Sequence, residues 1–350
     1  MLACDGKNSP DPIGKTGKTR ARLTELLQNV ALEFRQVNDL RSHRGFSGPV
    51  QECVLRSRTS DDMKILRASR ALTFAPALLG VDFGGEVTAW RQAKSYVYHK
   101  EKRAWMTELL QSIAAKKERL DSLRPLPPEA LRNLEHSYDI EITYSSNALE
   151  GNTLSAVETT LVIEQGVTIG GKPLKDHLEA LDHYEAIAYV RELAREKAPL
   201  TESDVRNLHR LVMQRSRPDI AGRYADLARF VRTETGRYEF PSPAEIPALM
   251  GDFSGWIRAE PDMPDKAFRA HRRLVDIHPF NDGNGRTARI LMNLFLIRCG
   301  YPPIAIWPED RLTYIRALQQ AQAGLGAESL ELLLLQRLDA TLTDYLHVLR

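Results

Sequence analysis

The chain has 350 residues, of which 43% are hydrophobic, and its 48 Lys and Arg against 46 Asp and Glu leave a formal net charge of +2. The length is more than twice the roughly 150 residues of a typical domain, and the apolar content excludes wholesale disorder. Three cysteines, at positions 4, 53 and 299, are too few and too scattered for a disulfide framework or a zinc cluster. The segment MLACDGKNSPDP lacks the apolar stretch that is typical of a signal peptide. No apolar run approaches the roughly 20 residues that span a bilayer. We therefore expect a cytoplasmic protein without a membrane partner.

Residues 1–105 differ from the rest of the chain in their charge. They carry 18 Lys and Arg against 11 Asp and Glu, whereas the remaining residues carry 30 against 35. A helical stripe of apolar residues occurs in this segment over 23–37. We interpret 1–105 as a weakly ordered basic extension and hypothesise that it lies upstream of the true start at Met106. A nucleic-acid-binding arm is the less favoured alternative.

From residue 106 onward, apolar residues recur at helical spacing between clear start and stop signals. Ser155 and Glu158 form a capping box that predicts the beginning of a helix. Thr201 is expected to cap a further helix, and the segment 242–245 is expected to supply the N-cap, N1 and N3 residues of another. The spacing also predicts helices over 130–142, 174–196, 267–277, 286–299, 311–322 and 329–349.

The stretch RFVRTETGRYEF, residues 229–240, is extended in character and interrupts the helical pattern. Thr235 and Gly236 at its centre predict a hairpin turn. We find neither an internal repeat nor a low-complexity tract. The predicted fold class is therefore all-α with one small β-flap.

The chemically informative segment is HPFNDGNGRTAR, which begins at His278 and runs into a predicted helix. The glycines of 283–285 let successive backbone N–H groups turn toward one point, and at a helix N-terminus such groups form a phosphate cradle. Arg286 and Arg289 can add charge-assisted hydrogen bonds to phosphate oxygens. Asp282 is a hard oxygen ligand suited to Mg²⁺, and His278 can act as a general base near neutral pH. These residue types indicate a loop that handles phosphate with a base and a metal ligand.

This segment resembles the signature of the Fic family, H-x-F-x-D/E-G-N-G-R-x-x-R, and the likeness extends from about Met106 to Arg350. Every specified position of the pattern is matched, by His278, Phe280, Asp282, Gly283, Asn284, Gly285, Arg286 and Arg289. The resemblance implies a Fic-type helical bundle with a short β-hairpin flap beside the active-site loop. It divides the chain into the extension at 1–105, an N-terminal helical region at 106–170 and a catalytic core at 171–350.

The resemblance implies adenylylation, in which AMP passes from ATP to a Ser, Thr or Tyr hydroxyl of a target protein and pyrophosphate is released. His278 would take the proton from the attacking hydroxyl, and Asp282 would hold Mg²⁺ against the α- and β-phosphates. Residues 283–285 would form the anion cradle. Arg286 would support the phosphates, while Arg289 would bind the γ-phosphate. Relatives that act as kinases carry Lys in place of the second loop glycine, so the glycine favours AMP transfer.

The same resemblance implies nucleotide contacts outside the loop. The residues that it places beside the nucleotide are Thr235, Gly236, Arg237 and Tyr238 of the hairpin, and Tyr314 near the C-terminus. The hairpin edge at 229–232 would pair with an extended segment of the target by strand addition.

A second motif, S-x-x-x-E-G at Ser146, Glu150 and Gly151, resembles the family's inhibitory sequence [S/T]-x-x-x-E-[G/N]. A carboxylate that faces Arg289 would form an ion pair in the place of the γ-phosphate, so ATP would bind only in an unproductive pose. The alternative is a short capped helix with a solvated Glu150. Beside the complete Fic signature, we favour inhibition.

Three functional interpretations stay open from the sequence. The first is an autoinhibited protein adenylyltransferase that uses ATP, Mg²⁺ and an unidentified target protein. The second is a deadenylylase or dual-activity enzyme in which Glu150 positions a hydrolytic water. The third is a non-enzymatic nucleotide-sensing or DNA-associated module, against which the intact His278 and Asp282 argue. The resemblance leaves a homodimer open, and we do not expect nucleic acid as a partner.

Overall fold

The computed structural model describes residues 105–196, 198–233 and 236–349. The predicted basic extension therefore lies outside the described residues, except for Trp105. The helices cover 105–122 (α1), Pro128–Leu149 (α2), Ala156–Gln165 (α3), Leu174–Glu196 (α4), Glu202–Met213 (α5), Ile246–Ala259 (α6), Pro264–Ile277 (α7), Asn284–Arg298 (α8), Arg311–Gln322 (α9) and Glu328–Val348 (α10). Within these ranges, no helix combines the length and the apolar character needed to cross a membrane.

Helix α8 lies at the centre of the fold. Each of its residues from Arg286 to Leu296 is buried, so it contacts other helices on every side rather than along one stripe. Helices α7, α4 and α5 pack around it. One hydrophobic core runs through the described residues from Ile113 to Tyr345. The loop before α8 is therefore anchored to a helix that the core holds firmly.

A two-stranded hairpin interrupts the helices, as predicted. Strand β1, Phe230–Thr233, pairs antiparallel with β2, Gly236–Glu239, and places Phe230 opposite Glu239. The predicted turn residue Thr235 lies outside the described residues. Because the remaining regular structure that is described is helical, the predicted class of an all-α fold with a small flap is confirmed.

Two helices begin where the sequence predicts, because local side chains satisfy their first N–H groups. Ser155 Oγ accepts from the N–H of Glu158 at 3.2 Å, and the Glu158 carboxylate accepts from the N–H of Ser155 at 2.7 Å. Thr201 and Asp204 form the same reciprocal pair at the start of α5. Such caps need no tertiary contact, which explains why the sequence alone reveals them.

Helix α2 continues to Leu149, well beyond the predicted end at residue 142. The prediction was wrong because the last turns carry polar residues, which an amphipathic pattern assigns to solvent. In the structure Ser145, Ser146 and Asn147 are buried. They bond inside the protein, as Asn147 does when it donates to the carbonyl oxygen of Glu179 at 3.3 Å.

Helix α6 begins at Ile246, so the predicted N-cap at Ser242 is also wrong. The N–H and the hydroxyl of Ser242 both donate to the Glu245 carboxylate, at 2.8 and 2.6 Å. The Ser242 hydroxyl therefore bonds to the Glu245 side chain instead of to a helical N–H. Residues 242–245 form a turn that precedes the helix.

Candidate active site

The loop between α7 and α8 begins at His278, the C-cap of α7, which has a left-handed backbone with φ 50° and ψ 56°. This conformation costs an L-residue about 1–2 kcal/mol, so surrounding contacts must hold it. The N–H of His278 donates to the Leu274 carbonyl at 2.9 Å, and Arg229 Nη1 donates to the His278 carbonyl at 2.7 Å. The left-handed residue turns the chain from helix α7 into the loop.

The imidazole of His278 is held in one orientation. Nδ1 lies 3.3 Å from the carbonyl oxygen of Val275, to which it donates, and Nε2 is thereby left as the acceptor. The ring stacks on Phe240 with centroids 3.8 Å apart and an interplanar angle of 17°. Burial lowers the pKa of His278 to about 4. The side chain is therefore neutral at pH 7 and can accept a proton at Nε2.

Asn284 closes the loop on itself. Its Oδ1 accepts from the N–H of Phe280 at 2.9 Å, and its Nδ2 donates to the carbonyl of the same residue at 2.7 Å. The side chain is 2% exposed. The side chain of Asn284 therefore shapes the loop, while its backbone N–H belongs to the start of α8.

His209, on α5, fastens the loop from outside. The N–H of Gly222 donates to its Nδ1 at 3.0 Å, so Nε2 carries the proton and donates to the carbonyl of Asp282, also at 3.0 Å. Burial lowers the pKa of His209 to about 4, which keeps the imidazole neutral. The loop segment that carries Asp282 is thus fixed by a neutral histidine of α5, a helix that lies far from the loop in sequence.

Two loop glycines are required by close approaches. Gly283 has φ 75°, and a Cβ there would lie 2.7 Å from Met213 Sδ. A Cβ on Gly285 would lie 2.9 Å from Arg289 Nη1 and would overlap the Glu150 carboxylate. The space left by the missing side chain of Gly285 is therefore taken by Glu150.

Arg289 forms the contacts that connect the loop helix with α2. Its Nη2 donates to Glu150 Oε1 at 2.7 Å and to the carbonyl of Ser146 at 2.9 Å. Its Nε donates to Ser146 Oγ at 2.9 Å. The first and fifth residues of the S-x-x-x-E-G motif thus meet the last arginine of the loop motif, and Gly151 follows in the turn after α2.

The charge of Glu150 is stabilised in this position. Burial by itself would raise its pKa, but the charge and hydrogen bond of Arg289, with the charge of Arg286, lower the pKa below its ordinary value. The side chain of Glu150 is 40% exposed, whereas that of Arg289 is 5% exposed. Solvent therefore reaches the carboxylate partner of a buried guanidinium.

Arg286 lies deeper, with 2% of its side chain exposed. Its Nη1 is 3.1 Å from Glu179 Oε1, and its Nη2 is 3.8 Å from Asp282 Oδ1. Asp282 Oδ1 also accepts from the N–H of Gly283 at 2.6 Å. The loop carboxylate and a buried carboxylate of α4 therefore hold the same arginine.

Comparison with known proteins assigns this arrangement to a family. The model of the Fic/DOC family matches residues 199–296. A Fic-domain-containing signaling protein from Bacteroides thetaiotaomicron aligns at 33% identity with a TM-score of 0.62, over 68% of this chain and 96% of that chain. The chain belongs to the Fic/DOC family. Fic-1 of Caenorhabditis elegans, residues 134–508, aligns with a TM-score of 0.64 at 27% identity, over 76% of this chain and 78% of that chain.

Two curated Fic proteins are similar over a shorter stretch. The protein adenylyltransferase Fic of Nematostella vectensis is 36% identical over 222 residues, which are 62% of this chain and 51% of that protein. Protein adenylyltransferase fic-1 of Caenorhabditis elegans is 34% identical over 201 residues, 56% of this chain and 39% of that protein. The chain spans about half the length of the first relative and less of the second.

Tyr314, the predicted nucleotide contact near the C-terminus, is buried in this Fic fold. It is 4% exposed, and its hydroxyl lies 2.7 Å from His271 Nε2. A further side-chain hydrogen bond joins it to Arg289. The hydroxyl of Tyr314 therefore faces the interior and supports Arg289, and its contact with a nucleotide stays a prediction.

The flap residues of the Fic site lie on β2, except for Thr235, which is outside the described residues. Gly236 and Arg237 are exposed, and Tyr238 is half-buried. The ring of Tyr238 packs edge-on against Phe240 with centroids 5.3 Å apart. Because Phe240 in turn stacks on the loop histidine, this flap strand lies beside the predicted base.

Sequence reasoning missed the loop contacts of three side chains in the Fic site, namely His209, Arg229 and Glu179; it placed Arg229 only on the hairpin edge. His209 and Glu179 come from helices far before the loop in sequence and belong to no motif. A histidine on the apolar face of α5, beside Leu208 and Val212, is the available signal. That pattern fits an ordinary core histidine equally well, so it could not have identified the contact.

Proposed function

We propose that this chain is an autoinhibited protein adenylyltransferase that transfers AMP from ATP to a Ser, Thr or Tyr hydroxyl of a target protein. The observation that carries the proposal is the neutral His278, whose Nε2 is left as an acceptor beside a complete Fic loop. The names of the curated relatives, both protein adenylyltransferases, support the same chemistry. The cytoplasmic location and a homodimer stay predictions, and sedimentation of the full chain would test the latter.

In the proposed reaction the target hydroxyl attacks the α-phosphorus of ATP, the bond from that phosphorus to the bridging oxygen breaks, and pyrophosphate leaves. His278 Nε2 takes the hydroxyl proton as the new P–O bond forms. Backbone N–H groups of 283–285, at the positive end of the α8 dipole, bind phosphate charge. Arg289 binds the γ-phosphate once Glu150 has moved away, since both anions need the same Nη2.

We propose that Asp282 holds Mg²⁺ together with the phosphates. Its side chain is 44% exposed, and the hydrogen bond from Gly283 uses Oδ1, which leaves Oδ2 to act as a ligand. Mg²⁺ commonly takes one or two carboxylates plus substrate phosphates, so a single accessible carboxylate fits this ion. When bound, Mg²⁺ would neutralise phosphate charge during transfer.

We propose that Glu150 inhibits the reaction by competing for Arg289. The 2.7 Å ion pair occupies the guanidinium that the γ-phosphate needs, and Arg289 is too buried to turn toward a second anion. Because the Glu150 side chain is 40% exposed, solvent screens the ion pair and weakens it. A shift of the end of α2, or a binding partner, can then move the carboxylate away from Arg289. Activity would then rise without any change in the loop.

The proposal is tested with the full chain, Mg²⁺ and ATP labelled at the α- or the γ-phosphate. We expect protein labelling from α-labelled ATP alone, weak in the wild type, strong in Glu150→Gly and absent in Glu150→Gly/His278→Ala. Glu150→Gly/His136→Ala is the matched control, because His136 is an exposed histidine of α2, and it should label like Glu150→Gly. Labelling from the γ-phosphate would indicate a kinase, and no label in any variant would contradict AMP transfer and favour the deadenylylase.

A further inference from the structure

We propose that Glu179 is a positioning residue that couples the inhibitory segment to the phosphate loop. It holds Arg286 on one side and the chain directly after Glu150 on the other. This inference rests on the proposed adenylyl transfer and its inhibition by Glu150. It concerns a residue of α4 that belongs to neither sequence motif.

The first contact of Glu179 is with the loop helix. The residue is 5% exposed, and Oε1 lies 3.1 Å from Nη1 of Arg286. Among the described residues, Arg286 Nε and Nη1 have no well-aligned hydrogen-bond partner. The orientation of this buried guanidinium therefore depends on the charge of Glu179. That orientation in turn sets the distance of 3.8 Å between Arg286 Nη2 and Asp282 Oδ1.

The second contact of Glu179 is with the inhibitory segment. Oε2 accepts from Asn152 Nδ2 at 3.1 Å, and Asn152 is separated from Glu150 by one residue. Asn152 Nδ2 also donates to the carbonyl of Asp176 at 3.0 Å, and its Oδ1 accepts from the N–H of Leu154 at 3.0 Å. These bonds fix the turn after α2 on α4, which sets the place of the Glu150 carboxylate.

The two contacts use different oxygens of one carboxylate, so each can be removed without deleting the other residue. Asn152→Asp keeps the acceptor for the Leu154 N–H but loses the Nδ2 donor toward Glu179 and the Asp176 carbonyl, and it places two carboxylates together. We expect it to release Glu150 and to leave Arg286 paired. Glu179→Gln removes the charge that faces Arg286 at nearly constant volume.

Four chains separate these effects: wild type and Glu150→Gly, each with and without Asn152→Asp. In the wild type, Asn152→Asp should raise AMP transfer several-fold, because it loosens the inhibitory turn. In Glu150→Gly it should change little, since no inhibitory carboxylate is left to release. Equal changes in both backgrounds, or none in either, would show that Asn152 has a structural role alone and would overturn the coupling.

The contact between Glu179 and Arg286 is tested with Glu179→Gln in the Glu150→Gly background. We expect kcat to fall about ten-fold or more while KM changes less, because Arg286 supports charge that develops on the phosphates. Lys175→Gln is the control, since Lys175 Nζ also lies 3.3 Å from Glu179 Oε1 but is 56% exposed. A loss of kcat equal to that of the control would contradict the positioning of Arg286 by Glu179.

A binding measurement keeps the test independent of chemistry. Isothermal titration of the same chains with MgATP and MgADP gives the affinity ratio of the two nucleotides, which reports access of a γ-phosphate to Arg289. We expect Asn152→Asp to raise this ratio in the wild type and not in Glu150→Gly, whereas an unchanged ratio overturns the coupling. If Glu150→Gly carries no AMP label, the proposed function fails, but the affinity ratio of MgATP to MgADP still tests the coupling. Melting curves verify that each variant is folded.

Discussion

His209 and Phe280 lie face to face, with ring centroids 3.7 Å apart and an angle of 1° between their planes. The same imidazole bonds the N–H of Gly222 and the carbonyl of Asp282, so one neutral side chain both packs against the loop and hydrogen-bonds to it. The loop is thus held by a residue of α5 as well as by its own sequence. This contact gives a direct test of how the scaffold shapes the site.

Replacing His209 with Phe keeps a stacked ring but leaves the partly buried Gly222 N–H and Asp282 carbonyl without their partner. We expect the free energy of unfolding to fall by about 1–3 kcal/mol, the usual cost of an unsatisfied buried polar group. Urea unfolding measures the change. His136→Phe serves as the control, because that histidine is 47% exposed and should shift stability little. Equal losses for the two variants would show that the loop contacts of His209 carry no special weight.

Gly285 and Glu150 should be coupled energetically, because the carboxylate occupies the space that a side chain at 285 would need. We expect Gly285→Ala to destabilise the wild type more than it destabilises Glu150→Gly, by about 0.5–3 kcal/mol, the range seen for residues in contact. Unfolding of the four chains gives this double-mutant cycle. Additive changes would mean that Glu150 makes room for the new methyl group without a loss of stability, and would contradict the close packing of Gly285 against Glu150.

Stability should fall in mild acid because buried histidines resist protonation. Burial lowers the pKa of His209, His271 and His278 to about 4, 3 and 4. The folded pKa values lie below the unfolded value of about 6.5, so the unfolded chain binds more protons and the free energy of unfolding falls as pH falls through 6.5 toward 4. We expect about 1–2 kcal/mol from each histidine between pH 7.5 and 5.

Urea unfolding at several pH values checks this dependence. His209→Phe should show a shallower decline than the wild type, since one protonation site is lost. Identical slopes for the two chains would contradict the assignment of a low pKa to His209.

The rate of AMP transfer should depend on pH through His278. Because burial lowers its pKa to about 4, the imidazole stays available as a base well below neutral pH. For Glu150→Gly we expect a constant initial rate from neutral pH down to about 5 and a loss with an apparent pKa near 4. A decline centred near 6.5 would show that His278 is solvated, or that another group accepts the proton.

Much of the site could be predicted because its parts are close in sequence. The loop motif covers the turn between α7 and α8 and the first residues of α8, and the order of His278, Asp282 and the two arginines fixes their relative positions once α8 forms. The sequence also predicted that Glu150 faces Arg289, but through family resemblance; helical spacing alone does not bring α2 to α8. The role of that ion pair in inhibition stays a prediction.

Other features could not be predicted because they depend on partners that lie far apart in the chain. The end of α2 was placed too early since Ser146 and Asn147 are polar, and their burial makes sense only beside Arg289 and Glu179. Nor did any local pattern indicate that the Tyr314 hydroxyl bonds to His271 and Arg289 in the interior. In each case the polar atom finds its partner inside the fold.

The sequence by itself determined the two helices that begin with capping boxes, the hairpin and the loop between α7 and α8, because those depend on neighbouring residues and backbone geometry. The tertiary structure alone decided which buried polar groups meet, as Glu179 meets Arg286 and His209 meets Asp282. A buried charge or N–H must find a partner, but the sequence does not say which helix supplies it. That choice is made by the packing of α2, α4 and α5 around α8.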